Sequence, residues 1–320
     1  MDKKDLRIIF MGTPEFAVGT LQKLVEEGYP VVAVVTAPDR PVGRHQDRLQ
    51  ASAVKIFAEA HSIPVLQPEK MKNPEFLEQL AAFKANLQIV VAFRMLPEVV
   101  WAMPEYGTFN VHAALLPQYR GAAPINWAVI NGDTVTGVTT FFIDKEIDTG
   151  RIILQKHFPI GIDDNVEKVY DGLEKLGAEA AIETVEKILQ GNGRAQSISQ
   201  SEMAIETGPL KPAPKIHKET CRINWQQTAK QIHDFVRGLA PVPGAWTVID
   251  DKILKIFKTQ LTDSDTEGER PGTLTVKDKH LYVAGMDKWV EVLELQLAGK
   301  RRMNALDFIN GNHALPEFVE

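Results

Sequence analysis

The sequence predicts an α/β chain: a doubly wound, mostly parallel sheet followed by a small β-barrel domain. Three observations carry this. The first half alternates short apolar runs with stretches of helical spacing. Its strand-like runs lack polar alternation, as expected of strands covered by helices on both faces. The last third gives short strands separated by turns, after a single helix, which suits a small barrel.

Taken in order, residues 6–10 (LRIIF) form an apolar run closed by the turn signal Gly12-Thr13-Pro14. Residues 14–27 place Phe16, Leu21, Leu24 and Val25 at helical spacing and stop at Gly28, a residue suited to the position just past a helix end. Residues 31–35 (VVAVV) read as a strand, 52–60 as a helix and 64–66 as a short strand. Residues 74–84 read as a helix, and 87–93 (LQIVVAF) and 108–112 (TFNVH) as buried strands. Crossovers in such a sheet are expected to be right-handed. Residues 135–143 and 151–158 are β-rich with no helix between them, so the chain should turn back like a hairpin. Residues 166–189 give one long amphipathic helix through Val169, Leu173, Leu176, Ala180, Val185 and Leu189.

Residues 191–214 are polar and carry Gly191, Gly193, Gly208, Pro209, Pro212 and Pro214, the composition of a linker. The expected domains are therefore 1–190 and 215–320, joined by 191–214. In the second, 228–239 reads as a helix, and 245–249, 252–257, 272–276, 280–283 and 290–297 read as strands.

The chain has 320 residues, 44% of them hydrophobic and 24% charged, which excludes wholesale disorder. The lone cysteine, Cys221, excludes an internal disulfide and suits a reducing, cytoplasmic compartment. No apolar run approaches the ~20 residues that span a bilayer, and the N-terminus has no signal-peptide pattern, so no membrane association is expected. The net charge of -6 excludes a basic coat over the whole chain. Residues 211–258 nevertheless hold 9 basic against 4 acidic residues and can present a local basic face.

There is no G-x-G-x-x-G, P-loop, H-E-x-x-H or Cys/His metal spacing, so neither a nicotinamide cofactor nor a metal is expected. His45, His61, His157, His217, His233, His280 and His313 are scattered singly. The informative segment is 108–150. Asn110 and His112 end a predicted strand and, at period two, point to one side of the sheet. In an open parallel sheet, ligands bind beyond such strand tips. An amide there can donate to an oxyanion, and an imidazole can move a proton. A dense loop follows (LLPQYRGAAP, 115–124), and Asp148-Thr149-Gly150 comes after the next strand. That acid is a plain turn residue unless it reaches His112.

At these motifs the sequence resembles a known family. GTPEFA (12–17), PDRPVGR (38–44), FNVHAALLPQYRGAAPI (109–125) and GDTVTGVTTFFIDKEIDTG (132–150) resemble the folate-dependent formyltransferase superfamily. The PDRP-x-GR loop, with RINW (222–225) and PVPGAW (241–246), narrows the resemblance to the methionyl-tRNA formyltransferases. The resemblance implies a Rossmann-like catalytic domain and an OB-like tRNA-binding barrel. It implies a catalytic triplet of Asn110, His112 and Asp148. It implies tetrahydrofolate binding by Ala114, Leu115, Leu116 and Pro117, with the pterin also against Phe93, Met95 and Leu96. The loop 39–49, with Arg40, Arg44 and Arg48, would meet the tRNA acceptor arm. Lys211, Lys215 and Lys218 of the basic stretch would meet the rest of the tRNA.

The implied reaction passes a formyl group from 10-formyltetrahydrofolate to the amine of methionyl initiator tRNA. Asn110 and His112 would stabilise the oxyanion, and Asp148 would orient the imidazole and help to take the amine's proton. A monomer without metal is expected. Three departures stand out: Ala114 where the family has Ser, His45-Gln46-Asp47-Arg48 where it has adjacent lysines, and Val242 where it has an aromatic. Two other readings compete: a formyltransferase acting on a sugar-nucleotide amine, and a non-catalytic tRNA-binding protein.

Overall fold

The computed structural model describes residues 1–42, 48–207, 209–312 and 315–320, with 48 and 204–207 in backbone only. By contact the chain forms two compact units. One comprises 1–121, 137–158 and 171–212; the other comprises 122–136, 159–170 and 213–320.

The strands are β1 (Ile8–Gly12), β2 (Val31–Val35), β3 (Arg40–Val42), β4 (Arg48–Gln50), β5 (Val65–Leu66), β6 (Leu87–Val91), β7 (Thr108–His112), β8 (Val135–Phe142) and β9 (Ile152–Pro159). Between and after them lie α1 (Glu15–Glu26), α2 (Ala53–Ala60), α3 (Pro74–Ala82), α4 (Glu98–Trp101), α5 (Pro124–Ile130), α6 (Val166–Gln190) and α7 (Gln200–Thr207). Among the described residues, seven strands form one sheet in the order β5-β2-β1-β6-β7-β8-β9. Pairing is parallel from β5 to β7 and antiparallel between β7 and β8. Every residue of β1 and β6 is buried, which is why these runs show no polar alternation.

Boundaries differ from the sequence reading for local reasons. Ser52 caps α2 by accepting from the Lys55 N–H, so the helix begins one residue later than its spacing suggests. The strand expected over 87–93 ends at Val91, because Ala92 takes a left-handed φ of 47°. The loop after Pro38 contains the antiparallel pair β3 and β4, too short and polar to leave a strand signature. The stretch 191–214 carries α7 and a two-bond bridge between Ile152 and Ile198. Its described residues thus include regular structure that the Gly and Pro content does not predict, since α7 has no apolar periodicity to betray it.

The last third adds α8 (Ala229–Leu239), β10 (Ala245–Ile249), β11 (Lys252–Asp265), β12 (Leu274–Lys277), β13 (His280–Ala284), β14 (Lys288–Leu297), β15 (Met303–Asn304) and α9 (Ala305–Gly311). The strands run antiparallel in the order β10-β11-β14-β13-β12, with β15 on β14. β11 is 14 residues long, well beyond the expected 252–257. Its polar second half pairs with β14, with register shifts along the way, and is further held by the bond of Thr259 to His233 and by Leu261 against the core. The core includes Trp225, Ile232, Val236, Leu254, Val290, Leu295 and Phe308. Asn304 caps α9, which the sequence reading omits.

The two open edges of this sheet are joined by the chain's last residues. Val248 of β10 exchanges both backbone hydrogen bonds with Glu320 (3.1 and 3.0 Å). Leu274 N–H of β12 donates to the Glu317 carbonyl (2.7 Å), and Val319 N–H donates to the Gly272 carbonyl (2.9 Å). Backbone pairing thus continues from edge to edge, and neither edge is left as an open template. Removing 317–320 is expected to lower the unfolding midpoint by several degrees, roughly 1–2 kcal/mol. Calorimetry checks this, and an unchanged midpoint would contradict it.

In the same unit, α5 lies against α8. An added Cβ at Gly238 would sit 2.5 Å from Ile130 Cγ1, so only glycine permits this approach. Asn126 Nδ2 donates to the Gly238 carbonyl (2.8 Å) and fixes the crossing. His233 of α8 bonds Thr259 Oγ1 (2.9 Å) and donates from Nε2 to the Ile162 carbonyl (3.0 Å). Burial pushes its imidazole below the ordinary value, and the neutral tautomer satisfies both partners.

Candidate active site

β1, β6 and β7 are adjacent parallel strands, and their carboxyl ends open together at Gly12, Val91 and His112. Gly12 is there for packing: an added Cβ would meet Ala17 Cβ at 2.6 Å and the Val91 carbonyl at 3.0 Å. Residues 93–96 leave the tip of β6 beside the tip of β7. Phe93 is half-buried, Met95 is exposed and Leu96 is buried. The sequence-predicted folate residues of this stretch therefore adjoin the predicted catalytic pair.

Asn110 is half-buried and His112 is buried, on one side of β7. His112 Nε2 lies 2.9 Å from the Tyr119 carbonyl. A carbonyl only accepts, so Nε2 must carry the proton and donate. Nδ1 is therefore the nitrogen that can take or give one. It faces Asp148 Oδ2 at 3.9 Å, an ion-pair distance rather than a hydrogen bond. The ring is oriented by Tyr119, with Phe141 edge-on at 6.4 Å, more than by the carboxylate.

Asp148 reaches this place through a strained turn. Its φ is 56°, and its Oδ2 accepts from the Gly121 N–H at 3.0 Å. Gly150 cannot be anything larger, since an added Cβ would lie 1.6 Å from the Phe142 carbonyl. The acid that sequence reasoning leaves as a possible turn residue thus does face His112, and the turn is what carries it there.

The loop after β7 is stapled through its main chain. Thr139 Oγ1 donates to the Ala114 carbonyl (2.7 Å) and accepts from the Leu116 N–H (3.0 Å). Gln155 Nε2 donates to the Leu116 carbonyl (2.8 Å). Ala114, Leu116 and Pro117 are buried and Leu115 is half-buried. The side chains of Ala114 and Leu116 are thus turned to packing, and any ligand contact they make is through backbone.

Gln200 is the residue that sequence reasoning misses. It is buried, and its Nε2 donates to the carbonyls of Asp148 and Gly150, both at 2.8 Å. Its Oε1 accepts from Arg120 Nε (3.1 Å) and Nη2 (2.7 Å). One amide thus ties the Asp148 turn to the loop that supplies Tyr119 and Gly121. Gln200→Ala is expected to lower kcat by about a hundredfold through misplacement of the carboxylate. Substrate KM should move little, and a steady-state assay beside a melting curve separates this from unfolding. A kcat equal to the parent's would contradict it.

Of the predicted tRNA contacts, Arg40 is exposed at the start of β3. Asp39 beside it is fixed by Lys55 Nζ and Gln67 Nε2, both at 2.7 Å. The Lys55 ammonium holds the Asp39 carboxyl below its usual range. Arg44 and the Arg48 side chain lie outside the described residues. Lys211 adjoins the loop after β7: its carbonyl accepts from the Tyr119 N–H (2.7 Å), and its N–H donates to Gln118 Oε1 (2.7 Å). Lys215 and Lys218 are exposed in the other unit. The basic stretch is therefore shared between the two units.

Among the described residues, no cluster of three or more His, Cys, Asp or Glu side chains can hold a metal, and no helix is long and apolar enough to cross a membrane. Residues 6–185 match the formyl transferase model, and 215–313 match the formyl transferase C-terminal domain model. The methionyl-tRNA formyltransferase of Parabacteroides distasonis is 54% identical over 324 residues, covering 100% of this chain and 99% of that protein. That of Bacteroides fragilis is 54% identical over 99% of this chain and 98% of its own. Among solved structures, the sugar 3N-formyl transferase WlaRD superposes with a TM-score of 0.64 at 21% identity, covering 92% of this chain and 99% of that one. HypX from Aquifex aeolicus superposes at 0.62 and 18% identity over 95% of this chain, which spans 47% of HypX. The last two speak for the fold alone. With both domain models matched and full-length identity above half, the chain belongs to the formyl transferase family.

Proposed function

We infer that the chain transfers the formyl group of 10-formyltetrahydrofolate to the free amine of methionyl initiator tRNA, giving formylmethionyl-tRNA for translation initiation. The observation that carries this is the 54% identity to methionyl-tRNA formyltransferases over essentially the whole of both chains. A relative matched only in the catalytic domain would leave the acceptor open.

The site supports acyl transfer by its own side chains. The amine nitrogen attacks the formyl carbon, and the carbonyl oxygen takes up negative charge. The Asn110 amide stands at the strand tip where it can donate to that oxygen, in a partly desolvated place where such a donor counts for most. The attacking nitrogen must shed a proton as the new C–N bond forms. Nδ1 of His112 is the ring nitrogen open to receive it, because Nε2 is committed to Tyr119. Asp148 faces the charge that then appears on the ring. The bond to the folate nitrogen breaks, and that nitrogen leaves with a proton. The staples hold the backbone around Ala114 and Leu116 in one place, and a fixed main chain suits a flat heterocycle that reads the neighbouring backbone groups. Arg40, Arg44, Arg48, Lys211, Lys215 and Lys218 supply cations for the phosphates of tRNA. Both substrates and the lone cysteine suit the cytoplasm.

Acceptor choice is the discriminating experiment. The chain is supplied with 10-formyltetrahydrofolate and, in separate reactions, methionyl initiator tRNA or an amino-sugar nucleotide. Formylmethionine from the first with no formylated sugar from the second supports the inference, and the reverse pattern refutes it.

A further inference from the structure

The unit containing 213–320 holds a pocket of about 500 Å³, within the ~300–1,000 Å³ range of small-molecule sites. Its walls are mostly apolar, with Trp246, Pro243, Ile253 and Leu297 among them. The Trp246 ring is pinned: its Nε1 donates to the Lys218 carbonyl (2.8 Å), and its own carbonyl accepts from the Ile223 N–H (2.8 Å). The Arg222 guanidinium lies 5.7 Å from the ring centroid, a cation over an aromatic face. The charge of the lining has one sign. Lys218 and Lys255 are its cationic residues, and none of the described lining residues is acidic. Lys255 Nζ donates to the Pro243 carbonyl (2.8 Å), which places the cation without neutralising it.

An aromatic wall with a cationic rim fits a flat ring that carries a phosphate. We propose that this pocket takes an unpaired nucleotide of the tRNA, its base against Trp246 and its phosphate on Lys218 and Lys255. The proposal rests on the function inferred above and adds a specific contact to it. Stacking on a fixed indole tolerates any base, while the ammonium groups supply the affinity that salt weakens.

The test uses the full chain labelled with 5-fluorotryptophan. Five tryptophans give five fluorine resonances, and Trp246→Phe identifies the one that matters. Nucleoside 5′-monophosphates and methionyl tRNA are titrated separately. Both are expected to move the Trp246 resonance. Ala298 lines the pocket and is exposed, and its backbone N–H to Ile253 survives substitution. Ala298→Glu should weaken the mononucleotide response roughly tenfold through like-charge repulsion of the phosphate, with Ala298→Gln much closer to the parent. Lys218→Gln combined with Lys255→Gln should raise the KM for tRNA roughly tenfold and flatten its logarithmic salt dependence by about two. Lys277→Gln, the same kind of charge loss outside the pocket, should leave the mononucleotide response unchanged.

If tRNA is formylated normally while the Trp246 resonance stays still, the pocket proposal falls and the inferred function stands. If mononucleotides move the resonance but tRNA does not, the site serves free nucleotides and the proposal again falls. If Ala298→Glu matches Ala298→Gln, charge does not recognise the ligand and the proposal is overturned. A failure to formylate any tRNA would instead refute the function it rests on.

Discussion

His112→Ala is expected to lower kcat by a hundred- to ten-thousandfold, the usual worth of a positioned acid–base group. The reason lies in the ring's hydrogen bonds. Nε2 spends its proton on the Tyr119 carbonyl, which leaves Nδ1 as the only ring nitrogen able to accept one. Alanine removes that acceptor and the ring's contact with Phe141, at a cost to stability that a melting curve reads separately. Affinity for tRNA should hardly change, since the side chain is buried. A filter-binding assay beside the rate measurement separates the two. Turnover within a few-fold of the parent would remove His112 from the chemistry.

Asp148→Asn is expected to cost about a thousandfold in kcat although it changes the shape very little. The new amide can keep its oxygen on the Gly121 N–H, and that same atom is the one that faces His112 Nδ1, so the geometry is retained. What is lost is the countercharge for the imidazolium. Asp148→Glu is the companion variant. It keeps the charge but lengthens the arm in a turn already held at positive φ, so it should be partly active. A rate for Asp148→Asn equal to the parent's would show that the carboxylate takes no part.

Much of this is legible in the sequence. The alternation of apolar strands and helices follows from burial on both sheet faces, and β1, β6 and β7 are the buried runs that show it. Asn110 and His112 share a face because strands have a period of two, and a strand tip is where chemistry collects. Asp148 is legible only as an acid beside glycine. Its approach to His112 depends on a positive φ and on a glycine that lets the backbone pass Phe142.

What the sequence hides has one physical cause in common: it is carried by main-chain groups or by distant partners. The Tyr119 carbonyl orients the imidazole, and no side chain announces a carbonyl. Gln200 braces Asp148 from 52 positions away, in a polar stretch whose composition reads as linker. The closure of the second sheet rests on backbone bonds from 317–320 to two distant strands, which no local periodicity encodes. The second half of β11 is mostly polar and owes its strand form largely to pairing with β14, a distant partner.

The most direct test of the central claim is a single-turnover measurement. The chain is loaded with 10-formyltetrahydrofolate, mixed rapidly with methionyl initiator tRNA, quenched at intervals and assayed for formylmethionine. Rapid formation is predicted for the parent, with a drop of at least about a hundredfold in the His112→Ala and Asn110→Ala proteins at saturating tRNA. Absence of formylmethionine with the parent, or single-turnover rates in the two variants equal to the parent's, would contradict the claim.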